Sequence, residues 1–289
     1  MPKQVTLVAI AALAALTFTA RAQTAVAIDP PAVLFRAQPG ETVTASILVA
    51  NPGAEAARVR VSLGDWMYQP DGQPVYLDPG SLPESASSWI TFSPAEFVLE
   101  GHEKKVVRYT IEVPDDAETG THWSVLFLQG EDPNALPGAN IATFKLRVAH
   151  TIYVDVPPVQ RDGRILGLAA VPPEQPDEPI SIGIQYANTG NGAYAVTGTL
   201  EVRDAQGQVV GETTIDRTVV LPGATRVLVA NFFGPLPRGD YVVLAVLNYG
   251  SETVDVAGQT VVSVPFDLVA PSRPPPAEGE ASAEPPKNP

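Results

Sequence analysis

The chain has 289 residues, 45% of them hydrophobic, with 30 prolines, 23 glycines and no cysteine. The missing cysteine excludes disulfides and thiolate metal sites, and a formal net charge of −14 makes nucleic acid and anionic membrane poor partners. The length suits about two domains, each large enough to hold a core without covalent cross-links.

Lys3, an apolar run from Val5 to Ala20 and the segment Ala20-Arg21-Ala22 predict a secretory signal peptide over residues 1–22, cut before Gln23. No other segment approaches the about 18 apolar residues that span a bilayer. The mature chain is therefore expected to be exported, either periplasmic or at the cell surface.

A repeated plan follows. Residues 41–63 alternate apolar and polar, turn at Asn51-Pro52-Gly53 and alternate again; residues 179–203 do the same around Asn188-Thr189-Gly190. Leu99-Glu100-Gly101 then leads into a strand and on to Gly120-Thr121-His122-Trp123. Leu221-Pro222-Gly223 leads likewise to Gly239-Asp240-Tyr241. Period-two alternation throughout, with prolines and glycines between the runs, predicts an all-β chain of two tandem immunoglobulin-like β-sandwich domains. The expected bounds are 23–156, a linker over 157–164 that opens on Pro157-Pro158, and 165–267. Residues 268–289, rich in proline and acid with almost no large apolar side chain, are expected to form an extended tail.

The first module carries an extra segment, which includes Asp65-Trp66-Met67-Tyr68 and a turn at Asp71-Gly72. Trp89 continues into Ile90 and Phe92 and reads as core. Trp66 and Tyr68 suit either core burial or contact with a partner. The run Trp123 to Leu128 has the continuous apolarity of a strand buried on both faces.

Catalytic patterns do not emerge. There is no G-x-S-x-G elbow, no H-E-x-x-H helix and no phosphate-cradling glycine loop ahead of a helix. His102, His122 and His150 fall on separate elements without ligand spacing. Asp115-Asp116 sits in a turn, where both carboxylates are best solvated. The chain reads as a non-enzymatic binding protein with no cofactor and no metal.

The segment 141–156, I-A-T-F-K-L-R-V-A-H-T-I-Y-V-D-V, is the longest alternating run. One face carries Phe144, Leu146, Val148, His150, Ile152 and Val154; the other carries Lys145, Arg147, Ala149, Thr151, Tyr153 and Asp155. Its length implies that the strand bends across the domain or offers part of an edge to another chain. His150 on the apolar face reads as a hydrogen-bonded residue of the core or of its rim.

A first module ending in such a strand, then Pro-Pro and a second sandwich, resembles the PapD-like periplasmic chaperones of pilus assembly. The stretch S-S-W-I-T-F-S-P-A-E-F-V-L-E-G at 87–101, followed by V-V-R-Y-T-I-E-V-P and G-T-H-W, is similar to their first domain. It also resembles bacterial envelope proteins that include the WxL-interacting proteins. The resemblance covers most of residues 25–156 and is only architectural beyond. It implies that the long strand caps a pilus or envelope subunit, with Phe144, Leu146 and Val148 filling the subunit's groove and Arg147 as a secondary contact; the alternative is that these residues complete their own core. The family's carboxylate clamp is missing: Ala32 stands where its arginine would fall, and His150, Thr151 and Ile152 occupy the region of its lysine. The rival reading is a surface module binding wall polysaccharide or another envelope protein, in which Trp66 and Tyr68 matter more than the strand.

Overall fold

The computed structural model describes residues 26–133, 146–250 and 255–270. The predicted signal peptide, Phe144, Lys145 and the segment 271–289 lie outside them. Among the described residues there is no α-helix, and no helix long and apolar enough to cross a membrane. The chain forms two immunoglobulin-like β-sandwiches in series.

In the first, β1 (Ala27–Asp29), β3 (Thr42–Ala50), β8 (Lys104–Glu112) and β6 (Ile90–Ser93) form one sheet, in the order β1-β3-β8-β6. The facing sheet runs β2-β10-β9-β4-β5, from Ala32–Arg36, Leu146–Val156, Gly120–Glu131, Ala57–Tyr68 and Pro74–Leu77; β7 (Glu96–Leu99) also pairs with β4. The chain changes sheets at Pro30-Pro31, where two residues without amide protons interrupt the ladder between β1 and β2. In the second sandwich, β11 (Gly163–Val171), β12 (Ile180–Asn188) and β15 (Thr225–Phe232) face β14 (Val209–Val220), β13 (Tyr194–Arg203), β16 (Gly239–Asn248) and β17 (Val256–Val264).

The inward residue of each alternating pair builds the cores. Ile47, Val49, Tyr109, Ile111, Leu126, Leu128, Ile152 and Val154 fill the first; Ile182, Ile184, Tyr186, Leu200, Val243 and Leu247 are among those that fill the second. Trp89 lies in the first core, as its sequence context predicts. The repeated asparagine does the same work in each domain. The amide of Asn51 donates to the Glu55 and Leu99 carbonyls while its Oδ1 accepts from the Gly53 N–H. Asn188 donates to Gly192 and Val220 and accepts from Gly190. Each side chain closes its own turn and ties it to a neighbouring strand end.

Strand β9 is buried on both faces. Leu126 and Leu128 enter the first core, while Trp123, Val125 and Phe127 join Trp66, Ala193 and Leu221 in a second cluster shared between the domains. A polar seam runs beside this cluster. The Thr121 hydroxyl donates to Asp155 Oδ1 at 2.5 Å and accepts from the Ala193 N–H at 2.8 Å. Arg161 Nη2 meets Asp155 Oδ2 at 2.5 Å, and Arg161 Nε donates to the Ala193 carbonyl at 3.2 Å.

Candidate strand-pairing edge and interdomain cleft

Strand β10 pairs with β9 in antiparallel register along its whole described length, from Leu146 opposite Gly130 to Val156 opposite Gly120. On its other side it pairs with β2, in parallel, only from Thr151 opposite Ala32 to Asp155 opposite Arg36. Among the described residues no strand covers that side of Leu146–His150.

The phase of the open stretch follows from the paired one. The Thr151 N–H donates to the Pro31 carbonyl at 3.0 Å, and the Asp155 carbonyl accepts from the Ala37 N–H at 3.1 Å. Odd-numbered residues therefore aim their main-chain groups toward β2, and period two carries the same direction back to Ala149 and Arg147. Their amides and carbonyls form the open edge, whereas those of Val148 and His150 face β9.

Side chains sort onto two faces as their alternation predicts. Val148 is partly buried against the first domain's own core. Leu146 holds its backbone place opposite Gly130. The described part of the strand has 11 residues; residues 141–145 of the predicted run lie outside the described residues. On the opposite face the exposed Arg147 guanidinium lies 4.0 Å from the centre of the Phe127 ring and 5.6 Å from that of Tyr76. Gly64 leaves room for Phe127, since a Cβ on Gly64 would come within 2.6 Å of that ring.

His150 is fully buried where the open and covered halves of the edge meet. Its Nδ1 lies 2.7 Å from the Pro30 carbonyl and its Nε2 lies 3.1 Å from the Tyr109 hydroxyl. Burial holds its imidazole below the ordinary range, against a smaller opposing effect of the Pro30 carbonyl. The Tyr109 hydroxyl is pushed up to about 12 by burial.

Beyond Thr151 the edge runs into a cleft of about 520 Å³ between the domains. The first domain lines it with Ala32, Leu34 and Tyr153, the second with Tyr194, Arg217 and Tyr249. The linker and the second domain bring cationic groups to the cleft. Arg161 is engaged by Asp155, while Arg217 is exposed and no carboxylate lines the cleft among the described residues. Burial raises the hydroxyls of Tyr153 and Tyr194 well above their ordinary range, and the Tyr194 hydroxyl donates to the Asp162 carbonyl at 2.7 Å. Nothing in the linear sequence couples Arg217 to Ala32.

Trp66 and Tyr68 are contact residues, but between the chain's own domains. Trp66 is buried in the shared cluster, edge-on to Tyr68 at 4.9 Å and to Tyr153 at 6.1 Å. The three histidines stay apart: His122 packs on Trp89 with its Nε2 2.9 Å from the Glu118 carbonyl, and His102 occupies a loop with φ of 63°. Among the described residues no group of three potential metal ligands occurs.

No protein-family model matches the chain, and no curated protein sequence does. Solved structures do match. The class 5 fimbriae chaperone CfaA is 14% identical, over 84% of this chain and 100% of its own, with a TM-score of 0.43. The Salmonella enterica SafA pilin in complex with the SafB chaperone matches at 16% identity over 83% and 99%, with a TM-score of 0.43. The Pseudomonas aeruginosa CupB2 chaperone matches at 11% over 82% and 100%, with a TM-score of 0.41.

Proposed function

We propose that this chain is an exported, non-enzymatic assembly factor that holds other envelope proteins, pilus-type subunits foremost, by pairing a strand with the open edge of β10. The observation that supports this reading is the half-covered edge: β2 begins at Ala32, opposite Thr151, leaving the main-chain groups of Ala149 and Arg147 without a described strand beside them. Backbone hydrogen bonds along an added strand supply affinity, and alternate side chains supply specificity. Phe144 and Leu146 belong to the donated half in this reading, while Val148 marks where the strand turns to its own core. The adjoining cleft, with the exposed Arg217, suits an acidic or carboxylate group on the same partner. Export is supported by Lys3, the apolar run to Ala20 and Ala20-Arg21-Ala22. Affinity isolation of the tagged mature protein from its native envelope, with an edge-blocked variant beside it, tests the reading.

One observation favours the rival surface-module reading. A groove of about 500 Å³ on the outer face of the first domain is lined by Ser62, Tyr76, Asp78, Ser81 and Arg147. An exposed aromatic ring beside hydrogen-bonding groups suits a sugar. Binding of soluble wall polysaccharide that is lost in Tyr76→Ala and kept in edge-blocked variants would support that reading.

A further inference from the structure

The β4–β5 hairpin, the first domain's extra segment, reaches across to the second domain. Its tip is closed by Gln69 N–H to the Gln73 carbonyl and Gly72 N–H to the Gln69 carbonyl, both at 2.9 Å. Among the described residues strand β15 pairs with β12 alone, and on its other side the Val227 N–H donates to the Pro70 carbonyl at 3.0 Å. The hairpin tip thus caps an edge of the second domain's sheet by a single rung.

Arg226 fastens this contact. It is 7% exposed, its guanidinium carbon lies 3.9 Å from the centre of the Tyr68 ring, and its Nη1 donates to the Val219 carbonyl at 3.1 Å. Its Nε is buried without a hydrogen-bond partner among the described residues. Burying a guanidinium is costly, so the ring face and the carbonyl carry the compensation. Gly72 has φ of +94°, and a Cβ there would approach Arg226 Nη2 to 3.0 Å; glycine meets both demands.

These contacts close a circuit behind the cleft. Tyr153 on one wall touches Trp66, Trp66 touches Tyr68, Tyr68 stacks on Arg226, and Arg226 holds Val219 on the other wall. We propose that Arg226 is a positioning residue: by clasping the hairpin through Tyr68 and Val219 it fixes the two domains against each other and so sets the width of the cleft. The clasp stands on this geometry alone; its consequence for partner capture rests on the strand-pairing function proposed above.

The chain has no cysteine, so two introduced thiols can be labelled cleanly. Lys104→Cys and Gln259→Cys, both at exposed strand positions in different domains, carry spin labels on the full mature chain. Pulsed electron–electron resonance reads the interdomain distance and circular dichroism checks the fold. The starting protein should give a single narrow distribution. Arg226→Ala and Tyr68→Leu should lose it with the β-sheet spectrum unchanged, Tyr68→Phe should keep it because the ring face remains, and Arg226→Lys should restore it only partly for want of the planar fork. If Arg226→Ala does not fold, Tyr68→Leu and Gly72→Ala carry the test. A distribution that stays narrow in Tyr68→Leu and in whichever of the other variants folds overturns the clasp. This readout needs no partner, so it decides the clasp even if partner capture fails.

Discussion

Tyr109 and His150 meet across the first core, hydroxyl to Nε2 at 3.1 Å, although they come from facing sheets. The pair fixes β10 at the point where its edge passes from covered to open, and it makes stability sensitive to pH. The folded imidazole is held below its ordinary value of about 6.5 by burial. As pH falls through that value, the unfolded chain takes up a proton that the folded chain refuses. Stability is therefore lost over the window between 6.5 and the lowered folded value, and His150 contributes no pH dependence above it. His150→Gln should remove this component, so urea unfolding measured at steps down from neutral pH should fall less steeply in the variant than in the parent.

The Thr121 hydroxyl links both domains by accepting from Ala193 and donating to Asp155. Thr121→Val keeps the shape but leaves a buried N–H and a carboxylate oxygen short of a partner. It should cost about 1–3 kcal/mol, whereas Thr121→Ser should recover most of the loss. Denaturant unfolding of the three proteins measures both.

Arg217 presents an exposed cation to a cleft whose described lining holds no carboxylate. Arg217→Glu reverses that charge at a surface position, where the fold should change by less than about 0.5 kcal/mol. Capture of an envelope partner should nevertheless weaken, and raising the salt concentration should narrow the difference from the parent. Parallel pull-downs at low and high salt read both effects.

Much of the architecture can be read from the residues. The Asn51 and Asn188 turns announce a duplicated plan because an asparagine two before a glycine closes the same side-chain turn in each domain. The run Trp123 to Leu128 announces burial on both faces, since no polar residue but Ser124 interrupts it, and Ser124 donates to the Gly64 carbonyl. His150 is legible as a histidine of the core or its rim from its place among apolar alternate residues, and it is fully buried. Other features depend on distant pairings. The alternation of residues 141–156 does not reveal where β2 begins, and that start decides which part of the edge stays open. The Asp71-Gly72 turn is visible as a hairpin, yet its landing place on Arg226 and Val227 lies more than one hundred and fifty residues away. Arg217 enters the cleft only because the two sandwiches pack at one particular seam.

The strand-pairing claim is tested most directly by removing one outward amide. Ala149 points its N–H to the open edge and not to β9, so Ala149→Pro should leave the β9 ladder intact, as proline is tolerated on an edge. Tagged mature parent and variant are used side by side to isolate partners from the native envelope fraction, with mass spectrometry of the bound proteins and circular dichroism of the bait. Strand pairing at this edge gives a stoichiometric small β-rich exported subunit with the parent, its loss with Ala149→Pro, and an unchanged bait spectrum. Equal capture by both folded proteins, or a parent that binds only wall polymer, would contradict it.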